Sequence, residues 1–183
     1  MARFYPALEA KHRAFIAAQK IFFAATGTAD SRLNLSPKGM DSLRVLADTR
    51  VAYLDLTGSG NETAAHLKHD GRMTLMWCSF DAEPLILRLY GRGCAVHRQD
   101  AEWGALRRHF PELPGERQII VLDIESVQTS CGYAVPMYAY QGERDTLARW
   151  AEKKGIVGLS DYWREKNQVS IDGLPTGLLQ NER

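Results

Sequence analysis

Cysteine is scarce in this chain, and what there is does not pair. The 183 residues include three cysteines, Cys78, Cys94 and Cys131, widely spaced and with no Cys-x-x-Cys. An odd number cannot close completely within one chain, so a disulfide scaffold is excluded and the thiols read as reduced core or interface residues. Charge of one sign is also lacking. Lys plus Arg number 23 and Asp plus Glu 22, a net charge of +1. That balance argues against a nucleic-acid binder held by phosphate neutralisation, though not against a small local basic pocket. No apolar run reaches membrane-spanning length, and the run from Phe15 is interrupted by Gln19 and Lys20, so neither a signal segment nor a membrane anchor is expected. Internal repeats, low-complexity tracts and linkers are missing too. What remains is ordinary globular composition, 45% hydrophobic and 25% charged. It is long enough to bury a core without metal or disulfide. The expectation is a cytoplasmic protein in which residues 1–183 form a single domain.

The apolar pattern divides the chain into strands joined mostly by short connections. Residues 6–20 predict a helix, with Pro6 in the first turn. Residues 21–26 and 32–36 predict a hairpin around a turn at 27–31, and Pro37 ends or edges the second strand. Residues 51–56 form the next strand. Asn61 stands where a helix N-cap belongs, and Gly71 stops that helix. Strands follow at 73–78 and 85–96. Gly91 and Gly93 in the second predict a bulge or bend. Asp100 caps a helix carrying Trp103, Leu106 and Phe110. Residues 118–127 are a strand whose Ile119-Ile120-Val121-Leu122 is buried on both faces. Residues 132–140 are irregular, 143–154 and 160–167 are helices with Gly155 as a stop between them, and 170–179 are a tail. About six strands and four or five helices without βαβ alternation favour an antiparallel barrel or curled sheet with helices outside it.

Two polar, glycine-bearing segments are fused to strands. One is Arg32-Leu33-Asn34-Leu35-Ser36-Pro37-Lys38-Gly39. The other is Tyr53-Leu54-Asp55-Leu56-Thr57-Gly58-Ser59-Gly60-Asn61-Glu62-Thr63. Cations, hydroxyls, backbone N–H groups and glycines near strand ends are the chemistry that holds a phosphate-bearing cofactor. The same residues also suit two solvated loops, and Thr57, Ser59 and Asn61 suit turn and cap positions. Capping and anion contact are compatible, because a helix N-terminus is itself an anion site. His66 and His69 lie one helical turn apart, but without a third ligand they read as surface or interface histidines, and no metal site is expected. His97 follows a strand and would be a haem ligand only if the barrel held haem. Trp77 reads as core or interface, Trp150 and Trp163 as anchors of the late helices, and Cys131 as a packed residue.

The order of these motifs resembles the pyridoxamine 5′-phosphate oxidase-like family of split barrels that bind flavin mononucleotide. The resemblance runs over residues 22–127 and includes Gly71-Arg72-Met73-Thr74-Leu75-Met76 and Leu87-Arg88-Leu89-Tyr90-Gly91-Arg92-Gly93. Ser130-Cys131-Gly132-Tyr133-Ala134-Val135-Pro136 and Ser170-Ile171-Asp172-Gly173-Leu174-Pro175 are similar to a subgroup of that superfamily. The resemblance implies a mainly β fold, a six-stranded antiparallel split β-barrel with flanking helices, an N-terminal helix and a C-terminal helical extension. It also implies a homodimer with two cofactor sites at the interface. It places Arg32, Asn34, Ser36 and Lys38 beside the flavin and its phosphate tail. Leu56, Thr57 and the Ser59, Asn61, Glu62, Thr63 turn meet the ring edge and phosphate, and Arg88 is a basic position on a neighbouring strand. Ser130, Cys131, Gly132 and Tyr133 reach the cofactor, in the partner subunit if not in their own.

Two departures stand out. Glu62 and Thr63 occupy the place of the paired basic residues of the true oxidase. The C-terminus, Leu178-Leu179-Gln180-Asn181-Glu182-Arg183, lacks its Arg-x-His. The expected function is therefore a flavin mononucleotide-dependent oxidoreductase on a small substrate, with no protein base assigned and vitamin B6 oxidation disfavoured. The alternatives are a flavin, deazaflavin or haem carrier and a pyridoxal phosphate binder.

Overall fold

A computed structural model describes residues 2–179. The end of the tail, Gln180 to Arg183, read above for its missing Arg-x-His, lies outside the described residues. The strands are β1 (Arg3–Tyr5), β2 (Phe22–Thr26), β3 (Asn34–Lys38), β4 (Leu43–Ala47), β5 (Arg50–Leu56), β6 (Arg72–Cys78), β7 (Ile86–Val96) and β8 (Glu116–Ser130). The helices are α1 (Ala10–Ala18), α2 (Glu62–His69), α3 (Trp103–Arg107) and α4 (Thr146–Lys166). All pairings are antiparallel, in the order β3-β2-β6-β7-β8-β5-β4, with β1 added on β8. β3 and β4 are consecutive in sequence yet end the path at opposite edges. The sheet therefore curls into a split barrel that opens between them.

The barrel has more strands than the expected six. β1 is three residues long, and β4 is an edge strand whose residues are mostly half-buried. Neither shows the clean alternation by which a strand announces itself. Elsewhere the period-two logic holds. Phe22, Ala24, Tyr53, Leu75, Trp77, Leu87, Leu89, Ile120 and Leu122 fill the barrel. Ala52, Leu54, Ile119 and Val121 turn to the opposite face and are covered by Phe110 and half-buried Trp103 and Leu106. The Ile119–Leu122 run is thus buried on both faces, which is why it reads as continuously apolar.

Gly91 sits at the register shift between β7 and β8, and a Cβ there would lie 2.0 Å from the Asp123 carbonyl oxygen. Pro37 is tolerated because β3 is an edge strand. α1 is shorter than expected, since Glu9 and Gln19 at its two ends are extended. α3 begins at Trp103, not under Asp100, whose carboxylate instead accepts the backbone N–H of His97 at 2.7 Å. Gly155 breaks α4 with φ 64° and ψ 176°, a conformation suited to glycine. No helix among the described residues is long and apolar enough to cross a membrane.

Candidate functional site

A polar cleft of about 470 Å³ opens at one end of the barrel, between β3, the end of β5, the 58–61 turn and the start of α2. Each wall follows from a local rule. Asn34, Ser36 and Lys38 alternate onto one face of β3 and pair with Thr26, Ala24 and Phe22, whose side chains point into the barrel. Leu33 and Leu35 are thrown outward and exposed. On β5, Asp55 follows Val51 and Tyr53 at period two, so a carboxylate continues the line of core side chains. Opposite it the β5–β8 register shifts, Asp55 pairing with Gln118 and Leu56 with Glu116. Arg117 is the extra residue, and the bulge turns its side chain inward beside that of Gln118.

The result is a buried polar network around Asp55. Its Oδ1 accepts from Lys38 Nζ at 2.8 Å, and its Oδ2 accepts from Arg117 Nη2 at 2.7 Å and Gln118 Nε2 at 2.9 Å. Asp55 is 2% exposed and Arg117 3%. Burial alone would raise the Asp55 pKa, but the neighbouring charges and hydrogen bonds of Lys38 and Arg117 outweigh it and hold the carboxyl well below the usual carboxylate range. Asp55 is therefore a structural counter-ion and no proton donor.

The network continues into the turn and the C-terminal segment. Arg117 Nη1 donates to the Gly60 carbonyl at 2.9 Å and to Asn167 Oδ1 at 2.8 Å. Asn167 Nδ2 donates to the Gly58 carbonyl at 3.2 Å, and the Asn167 carbonyl accepts from Thr176 Oγ1 at 2.8 Å. Two carbonyls of the glycine turn are thereby held by residues far away in sequence. Trp163 Nε1 donates to Thr57 Oγ1 at 2.8 Å, anchoring the end of α4 to the same turn.

Asn61 stands at the N-cap of α2, but its side chain does not cap. It is drawn inward, accepting from Gln118 Nε2 at 2.7 Å. The start of α2 thus faces the cleft without a capping side chain, which leaves an electropositive helix end there. The Glu62 carboxylate, at the cleft wall, accepts the Ile171 N–H at 3.0 and 3.2 Å, tying the tail to the helix start.

Of the residues singled out from sequence, Asn34, Ser36, Lys38, Leu56, Ser59, Asn61, Glu62 and Thr63 line this cleft together. Thr57 lies behind it, bonded to the Gly115 carbonyl at 2.8 Å. Arg32 is outside, paired with Asp172 through its guanidinium and its backbone N–H. Arg88 points to the opposite face of the sheet from the buried Leu87 and Leu89 and donates to Ser130 Oγ at 3.2 Å. Cys131 and Tyr133 are exposed just beyond β8, and Gly132 is buried. Those residues do not join the cleft. Two further corrections concern single side chains. His66, expected at the surface or an interface, is buried with Nδ1 3.1 Å from Thr26 Oγ1. Cys131, expected to be packed, is exposed. Asp55, Arg117, Gln118 and Asn167 were not among the expected site residues. An acid inside an apolar strand is a signal that could have found Asp55, because a buried charge requires partners.

Residues 8–131 match the pyridoxamine 5′-phosphate oxidase family. A curated relative, the pyridoxamine 5′-phosphate oxidase family protein ustO of Aspergillus flavus, is 37% identical over 193 aligned positions that cover 96% of this chain and 78% of the relative. The chain belongs to the pyridoxamine 5′-phosphate oxidase family. Solved structures of similar shape include HupZ of Group A Streptococcus, with TM-score 0.53, 16% identity, and 66% of this chain and 91% of that chain covered. Another is a Clostridium acetobutylicum protein related to general stress protein 26 of B. subtilis, of the pyridoxinephosphate oxidase family, with TM-score 0.53, 12% identity, and 66% and 86% covered. These two establish the split-barrel fold. The family match ends at residue 131, so α4 and the tail that complete the polar network lie beyond it, although the Aspergillus relative aligns across nearly the whole chain.

Proposed function

We propose that this member of the pyridoxamine 5′-phosphate oxidase family binds flavin mononucleotide in the polar cleft, as a homodimer, and acts as an oxidoreductase on a small organic molecule. The observation that carries the reading is the uncapped start of α2 opening into a cleft that Lys38 and Arg117 flank. A phosphate there would meet helix N–H groups, the Ser36 hydroxyl and the Lys38 ammonium, a set of donors matched to an oxyanion. The Glu62 carboxylate also lines the cleft and repels a phosphate; the N–H it accepts from Ile171 offsets only part of that charge, so Lys38 and the helix end must outweigh it. The bound flavin would supply the electron chemistry, and the protein's part is binding, orientation and exclusion of water.

The dimer accounts for the residues left out of the cleft. Arg88 and Ser130 share the outer face of the sheet, and Tyr133, Met137 and Tyr138 beyond β8 are heavily exposed. A two-fold partner would cover this apolar surface and bring Arg88 and the 130–133 segment toward the other subunit's cofactor.

The test is a titration of the flavin-free protein with flavin mononucleotide, read by quenching of flavin fluorescence, alongside light scattering for mass. Saturable binding to a dimer, weakened at least about tenfold in Lys38→Ala, is expected. Unchanged affinity in a folded Lys38→Ala would remove the assigned phosphate site, and a monomer would remove one wall of the ring site. Deazaflavin, haem and pyridoxal phosphate are the comparison ligands.

A second reading, a flavin carrier that turns nothing over, is favoured by Asp55 being locked as a counter-ion. No bleaching of bound flavin by any reduced nicotinamide or organic donor would select it.

A further inference from the structure

A second and larger cavity, about 1260 Å³, adjoins the cleft and shares Gly58 and Ser59 with it. About half of its lining comes from the irregular segment after β8 and from α4, beyond the family match, and the rest from the end of α1, the segments at 39–40 and 57–59, and Phe80 and Asp81. Aromatic side chains line it. Trp150 and Tyr162 meet edge to face with ring centroids 5.2 Å apart, and Tyr140 belongs to the same lining.

The charges in this cavity are unbalanced. Lys20, Arg144 and Lys154 line it, and among the described residues their side chains make no salt bridge or hydrogen bond. Lys154 Nζ lies 5.9 Å from the Trp150 ring centroid and 5.6 Å from that of Tyr162, and Lys20 Nζ lies 5.9 Å from that of Tyr140. Against them stand Asp81 and Glu143, the Glu143 carboxylate already accepting the Tyr140 hydroxyl at 3.0 Å, and Glu165, near enough to feel the Lys154 charge but salt-bridged to Lys166. Rings beside unpaired ammonium groups offer a stacking surface and a counter-charge at once. The volume is at or above the usual range for a ligand site, which suits a molecule larger than a single ring.

We infer that this cavity receives a planar, anionic organic molecule, its ring system against Trp150, Tyr162 and Tyr140 and its acidic group toward Lys154 and Lys20. This rests on the flavin reading only for the cavity's role, which would be to hold the substrate next to the cofactor. Binding itself does not require a flavin.

The experiment uses two probes of nearly the same shape on the flavin-free full chain: the anion 8-anilinonaphthalene-1-sulfonate and its uncharged counterpart N-phenyl-1-naphthylamine. Both are read by fluorescence enhancement, with Lys154→Gln and Lys20→Gln as variants. Both lysines are exposed, so the variants keep the fold. The expected result is saturable binding of the anion, weakened about tenfold in Lys154→Gln and further in the double variant, while the uncharged probe is indifferent to both changes. Anion affinity that ignores both lysines overturns the inference, as does equal binding of the two probes. Lysine-dependent binding in a protein that takes up no flavin would uphold the cavity and overturn the flavin reading instead.

Discussion

Arg117 Nη2 lies 2.7 Å from Asp55 Oδ2, and the two residues, 62 apart in sequence, are both almost wholly buried. The pair closes the end of the barrel, and Lys38 reaches the other oxygen of the same carboxylate. Asp55→Asn leaves Arg117 buried without its counter-charge. The expected loss is about 3 kcal/mol of unfolding free energy, measured by urea denaturation. A loss under about 0.5 kcal/mol would mean that Lys38 and Arg117 are solvated in solution and that the network is not formed.

The same carboxylate sets an acid limit. Its folded pKa is depressed, so its contribution is fully present above the unfolded value of about 4 and is lost as pH falls from there through the folded value. His97 acts in the same direction at higher pH. Burial, only partly offset by Asp100 and Gln118, lowers its pKa, so stability declines as pH drops below about 6.5. Thermal midpoints between pH 7 and pH 3 should fall in two stages. His12, also lowered chiefly by burial, contributes to the upper stage, so His97→Gln should shrink it and Asp55→Asn should flatten the lower.

Asn167 bonds to Gly58, Arg117 and Thr176 from a fully buried position. Asn167→Ala orphans the Gly58 carbonyl and one Arg117 donor and should cost about 2 kcal/mol. If the glycine turn presents the phosphate site, flavin affinity should fall in the same variant while the circular dichroism spectrum is retained. Lost stability with unchanged affinity would confine Asn167 to a structural role.

Gly91 tests the bulge. Its missing Cβ would overlap the Asp123 carbonyl, a backbone atom that cannot swing away as a flexible side chain can. Gly91→Ala should destabilise by roughly 1–3 kcal/mol or prevent soluble expression. Gly104→Ala, with open space around its Cβ position, should leave the melting temperature within a few degrees of the parent. Equal behaviour of the two would contradict the β7–β8 register.

Much of the barrel was legible because its signals are local. The β2–β3 hairpin, the buried run at 119–122, the bend at Gly91 and the break at Gly155 each follow from a few adjacent residues whose apolar period or allowed φ leaves one choice. β4 was not legible, because an edge strand with half-buried residues carries no alternation. Position alone makes Asn61 a cap, yet Gln118 outcompetes the helix for its side chain. Lacking a third ligand, His66 reads from sequence as a surface or interface histidine, but the fold buries it and β2 supplies Thr26 beside it.

The sequence by itself determined the curled antiparallel sheet, its two-faced core and the run of polar residues on β3 and after β5. These depend on period, propensity and turn chemistry within short windows. Tertiary structure alone decided which charges meet. Asp55, Lys38, Arg117, Gln118 and Asn167 come from three strands and the end of α4. A buried carboxylate takes whatever donors the packed barrel end delivers, and no local pattern records their arrival. It likewise parted Arg32 and Arg88 from the cleft, one to Asp172 and the other to the outer face, because a strand's alternation and a tail's path set where a side chain points.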